Sequence, residues 1–197
     1  MKTLVIYTHP NPASFNAAIK ETVVNELTSK GHEVKVRDLY AMNFNPILSA
    51  EDFIQFSQNQ TPADIKAEQD AIAWADQLVF IYPTWWTNMP ALLKGYIDRV
   101  FTNGFAFKYT ENGAEGLLNG KKAIIFQTTG QPKESLEAYN LISPLEISME
   151  MGTLAFVGIE TIAHPFFHSV PFVTDEDRQN MLNEVKQVLS KLETLNV

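Results

Sequence analysis

The sequence contains no cysteine among its 197 residues. This absence excludes disulfide bonds, a thiolate nucleophile and zinc sites built on cysteine ligands. A chain that cannot form disulfides fits a reducing compartment, so we expect a cytoplasmic protein.

Long apolar runs and an excess of basic charge are also missing. No run approaches the roughly 18 apolar residues of a membrane-spanning helix, and the apolar run at residues 1–7 is too short for a secretory signal. The 15 basic residues are outnumbered by 23 acidic ones, which gives a net charge of −8. We therefore expect no membrane insertion and no binding to nucleic acid.

The turn after the first predicted strand lacks the glycines of two common nucleotide-binding motifs. Neither GxGxxG nor GxxxxGK[ST] occurs there. A classical dinucleotide-binding fold and a P-loop NTPase are therefore poorly supported.

Short apolar runs alternate with amphipathic stretches, a pattern typical of α/β proteins. The runs predict strands at residues 4–7, 34–36, 78–82, 123–126 and 154–157. Helices are predicted at residues 15–30, 63–75, 90–100, 132–151 and 175–195, with Gly31 ending the first. We expect one domain over residues 1–197, a doubly wound parallel sheet with helices on both faces. Residues 40–62 are predicted to be a long functional or interface loop.

The ligand crevice of such a sheet lies beyond the carboxyl ends of its strands, and the loop after the first strand carries suitable polar groups there. Ser14 is placed to cap the following helix, whose free amides and dipole attract an anion. Ser14 and Asn16 can add hydrogen bonds to phosphate, and His9 adds a further donor. A capped helix without a ligand is the alternative, and for a serine cap alone it is the commoner case.

Two later loops end at the same predicted edge of the sheet. Trp85 and Trp86 follow the third strand and precede a helix that starts with proline, which favours a ring-binding loop over core packing. Their side chains would point in different directions, so we expect at most one of them to face the ring of a bound ligand. Thr128, Thr129 and Gly130 follow the fourth strand. They could bind the ligand or form a plain turn, and the two alternatives are equal.

These motifs resemble a known family when they are combined. His9 with the Ser-Phe-Asn triplet at residues 14–16, the segments at residues 38–47, 82–95, 99–101 and 105–109, and Thr-Thr-Gly at 128–130 resemble the NAD(P)H:quinone oxidoreductases of the DT-diaphorase type, which are flavodoxin-like flavoproteins. The match covers roughly residues 3–130, and the last third matches loosely. The resemblance implies a five-stranded parallel sheet in the order 2-1-3-4-5.

The resemblance also implies roles for individual residues. The implied cofactor-binding residues are His9, Ser14, Phe15, Asn16, Pro83, Thr84, Trp85, Trp86, Thr87, Thr128, Thr129 and Gly130. The backbone amides of Thr129 and Gly130 are our candidates for stabilising negative charge on the reduced flavin ring. Trp86, Phe107 and Tyr109 are the implied substrate contacts, the last two supplied by a partner subunit in family dimers. Tyr109 and Tyr139 are the candidate catalytic residues.

The sequence departs from the family pattern at several positions. Gln131 stands where a second glycine is common, and Thr87 and Asn88 replace an aromatic residue and a glycine. No histidine lies between residues 130 and 152, so the family's Tyr/His relay is not carried over, and amphipathic packing is the alternative role for Tyr139. His164 and His168 are spaced like ligands on one helical face, but the proline between them interrupts a helix, so no metal is expected.

The expected function is a dimeric flavoenzyme with its active site at the subunit interface. FMN is the expected cofactor with FAD as the alternative, and NADPH or NADH is the hydride donor. The acceptor is a quinone, a nitroaromatic or an azo compound, reduced in a ping-pong cycle. Two alternatives stay open: a flavodoxin-like one-electron carrier, and a regulatory subunit of a bacterial potassium-efflux system.

Overall fold

The computed structural model describes the backbone of residues 1–194 and the side chains of residues 1–191. Its central sheet is parallel, in the order β2-β1-β3-β6-β7, with a short β8 beside the end of β6. The strands of this sheet are β1 (Lys2–Tyr7), β2 (Glu33–Asp38), β3 (Gln77–Pro83), β6 (Lys122–Thr128), β7 (Glu160–Ala163) and β8 (Phe166–Phe167). Because β6 and β7 are the fourth and fifth strands of this sheet in chain order, the expected order 2-1-3-4-5 is confirmed.

Helices cover both faces of the sheet, and the alternation of side chains along each buried strand explains why. In β1, Leu4 and Ile6 join the core on one face, while Val5 and Tyr7 join the core on the other. Helices α3 (Ala63–Trp74) and α4 (Ala91–Val100) cover the first face, and α1 (Phe15–Ser29) and α7 (Asp175–Thr194) cover the second. The four helices predicted in these places are confirmed to within a residue or two, except that Leu195 lies outside the described residues.

The predicted strand at residues 154–157 is wrong. A π-helical segment spans Ile147–Leu154, and a 3₁₀ turn spans Ala155–Val157. Leu154 and Val157 are buried while Ala155 and Phe156 are exposed, which is the i, i+3 spacing of a helical turn and not the alternation of a strand. The fifth place in the sheet belongs to β7, whose side chains are only partly buried because it is an edge strand.

The single helix predicted over residues 132–151 is also wrong. The chain forms α5 (Lys133–Ala138) and α6 (Ile142–Glu146) before it enters the π-helical segment. Asn140 separates the two helices with φ +53°, a left-handed conformation that asparagine tolerates at a helix end. Tyr139 consequently lies at the C-cap of α5 and not inside a long helix.

The long loop predicted at residues 40–62 contains a helix, α2 (Ala50–Ser57). Ser49 caps it, and Asp52 completes a capping box by accepting a hydrogen bond from the Ser49 amide at 2.9 Å. The Asp52 carboxylate also accepts a bidentate hydrogen bond from Arg99 of α4, at 3.1 Å from Nε and 2.9 Å from Nη2. Arg99 reaches Asp64 of α3 as well, at 2.5 Å. Asp52, Asp64 and Arg99, here the anchor cluster, fasten α2 to the main fold.

A two-stranded antiparallel hairpin is inserted between α4 and β6. It consists of β4 (Phe107–Thr110) and β5 (Gly113–Gly116). Its two turn residues are Glu111 and Asn112, and Gly113 follows them with φ +110° at the start of β5. The searched residues include no helix with both the length and the apolarity needed to cross a membrane.

Candidate functional site

Three loops meet at the carboxyl edge of the sheet and enclose a crevice made of two adjoining cavities. The loops follow β1, β3 and β6, which are neighbours in the sheet. The cavities measure about 280 and 270 Å³ and share Thr84, Thr129 and Gly130. Every predicted cofactor-binding residue lines one cavity or the other. Sequence reasoning missed four further lining residues, Gln131, Leu136, Val170 and Pro171.

The loop after β1 forms the end of the first cavity at which the sequence predicts an anion site. The Ser14 side chain caps α1 by accepting a hydrogen bond from the Ala17 amide at 3.2 Å, as predicted. The amides of Phe15 and Asn16 begin the helix, where no intrahelical carbonyl can reach them. Asn16 is 3% exposed and donates through Nδ2 to the Thr128 hydroxyl at 2.9 Å, which ties this loop to the end of β6.

His9 lies at the side of the same cavity. Its Nδ1 is 3.0 Å from the Asn11 amide nitrogen, which can only donate, so the neutral ring carries its proton on Nε2. Burial lowers the pKa of His9 below its ordinary value, against the opposing effect of the Asn11 carbonyl. His9 therefore offers one neutral donor and an aromatic ring whose centroid is 6.1 Å from that of Trp85.

The loop after β3 forms a tight turn that separates the two tryptophans. Trp85 and Asn88 exchange both backbone hydrogen bonds, at 2.9 and 3.1 Å. The two central residues, Trp86 and Thr87, have φ of +51° and +56°. A left-handed conformation is costly for a β-branched residue and is retained mainly where the surroundings or the function demand it. The turn directs Trp85 to the first cavity and Trp86 to the second, where Trp86 is 99% exposed.

The loop after β6 changes one of the predicted roles. The Thr129 amide donates to the Phe167 carbonyl at 2.8 Å, so it is not free to stabilise a bound ring as expected. This bond exists because β8 lies beside β6, and no sequence signal predicts so short a strand. The Thr129 hydroxyl donates to the Gln131 carbonyl at 2.8 Å and lies 3.1 Å from His168 Nδ1. Gly130 is exposed on the crevice and keeps its predicted role as a candidate.

The remaining predicted site residues lie away from the crevice. Phe107 and Tyr109 are on the β4–β5 hairpin, where Phe107 packs against Phe156 and Tyr109 is 73% exposed. Tyr139 is 76% exposed and lines neither cavity. The structure of one chain therefore does not bring these three aromatic residues to the predicted cofactor site, and their roles stay predictions.

Behind the crevice lies a row of hydrogen-bonded side chains that sequence reasoning missed. Gln127 donates through Nε2 to the Thr84 hydroxyl at 2.7 Å, and its Oε1 is 3.0 Å from His164 Nε2. The other ring nitrogen of His164, Nδ1, is 2.7 Å from Glu150 Oε1. These four side chains, here the Thr84–Glu150 row, come from the start of the loop after β3, from β6, from the π-helical segment and from the start of the loop after β7. Only the folded sheet brings them together.

The polar groups of the crevice fit a flavin with a phosphorylated side chain. Free helix amides suit phosphate, and the buried Oδ1 of Asn16 has no hydrogen-bond partner, as expected of an acceptor that a ligand hydroxyl would satisfy. Thr8 Oγ1, at the end of β1, is buried and unpartnered as well. Aromatic side chains at the rim suit a flat ring.

Comparison with known proteins gives the family that the sequence motifs resemble. A family model described as the flavodoxin-like fold matches residues 1–191. An uncharacterized NAD(P)H oxidoreductase of Haemophilus influenzae is 38% identical over 189 residues, which span 95% of this chain and 93% of that protein.

Solved structures extend the comparison. A putative quinone reductase from Klebsiella pneumoniae is 32% identical, with a TM-score of 0.90 over 98% of this chain and 85% of that one. The NAD(P)H:quinone oxidoreductase from Methanothermobacter marburgensis is 31% identical, with a TM-score of 0.88 over 98% of this chain and 97% of that one. The chain therefore belongs to the flavodoxin-like family that contains the NAD(P)H:quinone oxidoreductases.

Proposed function

We propose that the chain is a flavin-dependent NAD(P)H:quinone oxidoreductase that binds FMN in the crevice, with FAD as the alternative. The observation that carries the proposal is the crevice itself, which joins an anion-binding helix start, an unsatisfied buried amide oxygen and an aromatic rim. The relatives named as NAD(P)H oxidoreductases and quinone reductases support the same assignment.

Each loop has a separate task in this proposal. Ser14 and the amides of Phe15 and Asn16 bind the phosphate, and His9 adds a neutral donor. Trp85 and Gly130 border the space beside the phosphate site. In this space the hydride donor and the acceptor would stack in turn on the flavin ring with water excluded. A bound flavin supplies the two-electron chemistry, taking hydride from NADPH or NADH and passing it to a quinone or a similar small acceptor.

A homodimer would complete the site. Two large aromatic side chains are exposed in the single chain, Trp86 almost wholly and Tyr109 largely. Met151 and Phe156 are exposed beside the hairpin that carries Tyr109, at 64% and 44%. Apolar patches of this kind mark interfaces, so we propose that Phe107 and Tyr109 of one subunit contact the substrate bound to the other. Analytical ultracentrifugation of the wild type and of Tyr109→Asp tests this, and a monomeric wild type with full activity would rule it out.

A flavin titration tests the central claim. The purified protein is titrated with FMN, FAD and riboflavin, and each complex is then exposed to NADPH and NADH without oxygen while the visible spectrum is recorded. We expect FMN to bind more tightly than riboflavin, because riboflavin has no phosphate, and the flavin bands to bleach directly to the two-electron form. Ser14→Ala should reduce this preference for FMN, whereas Asn25→Ala, on the exposed side of the same helix, should not.

The other outcomes are equally informative. Failure to bind any of the three flavins would overturn the proposal. A bound flavin that neither nucleotide reduces would favour the one-electron carrier instead. Tighter binding of FAD than of FMN would keep the activity and change the cofactor.

A further inference from the structure

The Thr84–Glu150 row connects a buried histidine to the edge of the crevice. The His164 side chain is 4% exposed, and the Glu150 side chain is 30% exposed. At the other end Thr84 lines both cavities. Gln127, which joins the two ends, is 1% exposed. The row therefore runs from the partly exposed carboxylate of Glu150 to a hydroxyl group at the crevice.

The direction of each hydrogen bond in the row is set by the protonation state of His164. Gln127 Nε2 can only donate, and it faces the Thr84 oxygen, so Gln127 Oε1 faces His164 and needs a donor there. His164 Nε2 must then carry a proton. Nδ1 faces the Glu150 carboxylate, so in this arrangement the His164–Glu150 pair also shares a second proton.

The same four side chains can make a complete second arrangement with one proton fewer. If Nε2 loses its proton to water, it becomes an acceptor while Nδ1–H still donates to Glu150. The Gln127 amide then has to turn by about half a revolution so that Nε2–H donates to His164. Its Oε1 now faces Thr84 and accepts the hydroxyl proton.

We propose that His164 is a positioning residue that sets, through Gln127, whether the Thr84 hydroxyl donates or accepts a hydrogen bond in the crevice. With His164 protonated, Gln127 occupies a lone pair of Thr84 Oγ1 and leaves the hydroxyl proton free for a ligand. With His164 neutral, that proton points back to Gln127 and the crevice receives a lone pair. No covalent bond other than N–H changes, and the proton exchanges with water.

The surroundings of His164 determine where this exchange occurs. Burial lowers the pKa of His164, and the contact with Glu150 opposes that effect. Phe166 stacks on His164 with 4.4 Å between ring centroids. The Phe166 ring also stacks with that of His168, with 6.0 Å between the centroids. Tyr82 of β3, whose own pKa is raised chiefly by burial and further by the charge of Glu150, also lies near this pair. A negative charge bound in the crevice would favour the protonated arrangement.

The switch can be observed without any ligand. Protein labelled with ¹⁵N is titrated between pH 5 and 8 by NMR, following the ring nitrogens of His164 and the side-chain amide of Gln127. We expect both to change with one common midpoint, and Glu150→Gln to move that midpoint to lower pH because the carboxylate favours the charged ring. A His164 ring or a Gln127 amide that does not respond would overturn the proposal.

The consequence for ligand binding rests on the proposed function and is tested separately. The ratio of FMN affinities at pH 5.5 and pH 8 is measured for the wild type, His164→Gln, Thr84→Val and His32→Gln. We expect His164→Gln and Thr84→Val to change this ratio by about fivefold, the value of one hydrogen bond. His32→Gln, which alters a histidine at the opposite edge of the sheet, just before β2, should keep the wild-type ratio.

The two experiments fail in different ways. If no flavin binds but the NMR titration behaves as expected, the proposed function is wrong and the switch stands. If flavin binds, NADPH or NADH reduces it and His164→Gln keeps the wild-type pH ratio, the proposed function stands and the switch is wrong. Should His164→Gln not fold, the NMR titration of the wild type still decides.

Discussion

Two buried polar regions of this molecule differ in how completely they are satisfied. In the anchor cluster, Arg99 donates to Asp52, to Asp64 and to the Asn45 carbonyl at 3.0 Å. In the crevice, the buried Asn16 Oδ1 has no partner, although the Thr129 amide and hydroxyl donate to Phe167 and Gln131. A network whose bonds are all internal stabilises the fold, whereas groups left unsatisfied at a cavity are available to a ligand. Changes in the first should affect stability, and changes in the second should affect binding.

The largest effect is expected from breaking the anchor cluster. Arg99→Met keeps the unbranched aliphatic part of the side chain but leaves Asp52, which is 4% exposed, without its cation. Removing one partner of a buried ion pair costs about 3 kcal/mol or more of unfolding free energy. Urea unfolding at neutral pH measures this loss.

The double variant Arg99→Met with Asp52→Leu supplies the control. It removes both buried charges, so part of the lost stability should return, although the capping-box bond from the Ser49 amide is lost as well. Lys94→Met, which breaks the exposed pair with Asp98, should cost less than about 1 kcal/mol. If Arg99→Met is no worse than Lys94→Met, the anchor cluster does not hold α2 in place.

The same cluster should make stability depend on acid. Hydrogen bonds from Arg99, above all, lower the pKa of Asp52 below its ordinary value of 3.8. The stabilisation is then fully present above pH 3.8 and is lost as the pH falls below it, because protonation breaks the pair. Urea midpoints recorded down the acid range should fall less for the double variant than for the wild type. Parallel curves for the two proteins would argue against this assignment.

The crevice should respond in binding and much less in stability. Asn16→Ala removes the buried amide that faces the ligand space and its bond to Thr128. We expect FMN to bind about tenfold more weakly, since a lost hydrogen bond to a ligand group is worth about 1 to 2 kcal/mol. Fluorescence titration against Asn25→Ala as the matched control measures the difference. Equal affinities in these two variants would show that Asn16 belongs with the structural networks.

The sequence allowed the crevice to be located but not the bonds that define its chemistry. Strands β1, β3 and β6 are buried apolar runs followed by polar turns, so their ends could be predicted to meet. Residues 154–157 could not be assigned correctly, because four apolar residues fit a helical turn as well as a strand. His164 and Gln127 are 37 residues apart and Thr129 depends on β8, so both relationships exist only after the sheet has formed.

The smallest effect is expected at the turn between Trp85 and Asn88, where one crevice residue should affect both stability and binding. Thr87 contributes to the crevice and also holds a left-handed backbone at φ +56° that a β-branched residue adopts at a cost. Thr87→Gly should remove that cost and stabilise the protein by about 1 kcal/mol, less the extra chain entropy of glycine. Thr110→Gly, in the ordinary extended strand β4, should instead destabilise. If Thr87→Gly raises the urea midpoint and weakens FMN binding together, the strained turn is maintained for the ligand. If it raises stability and leaves binding unchanged, the strain at Thr87 has no part in the site.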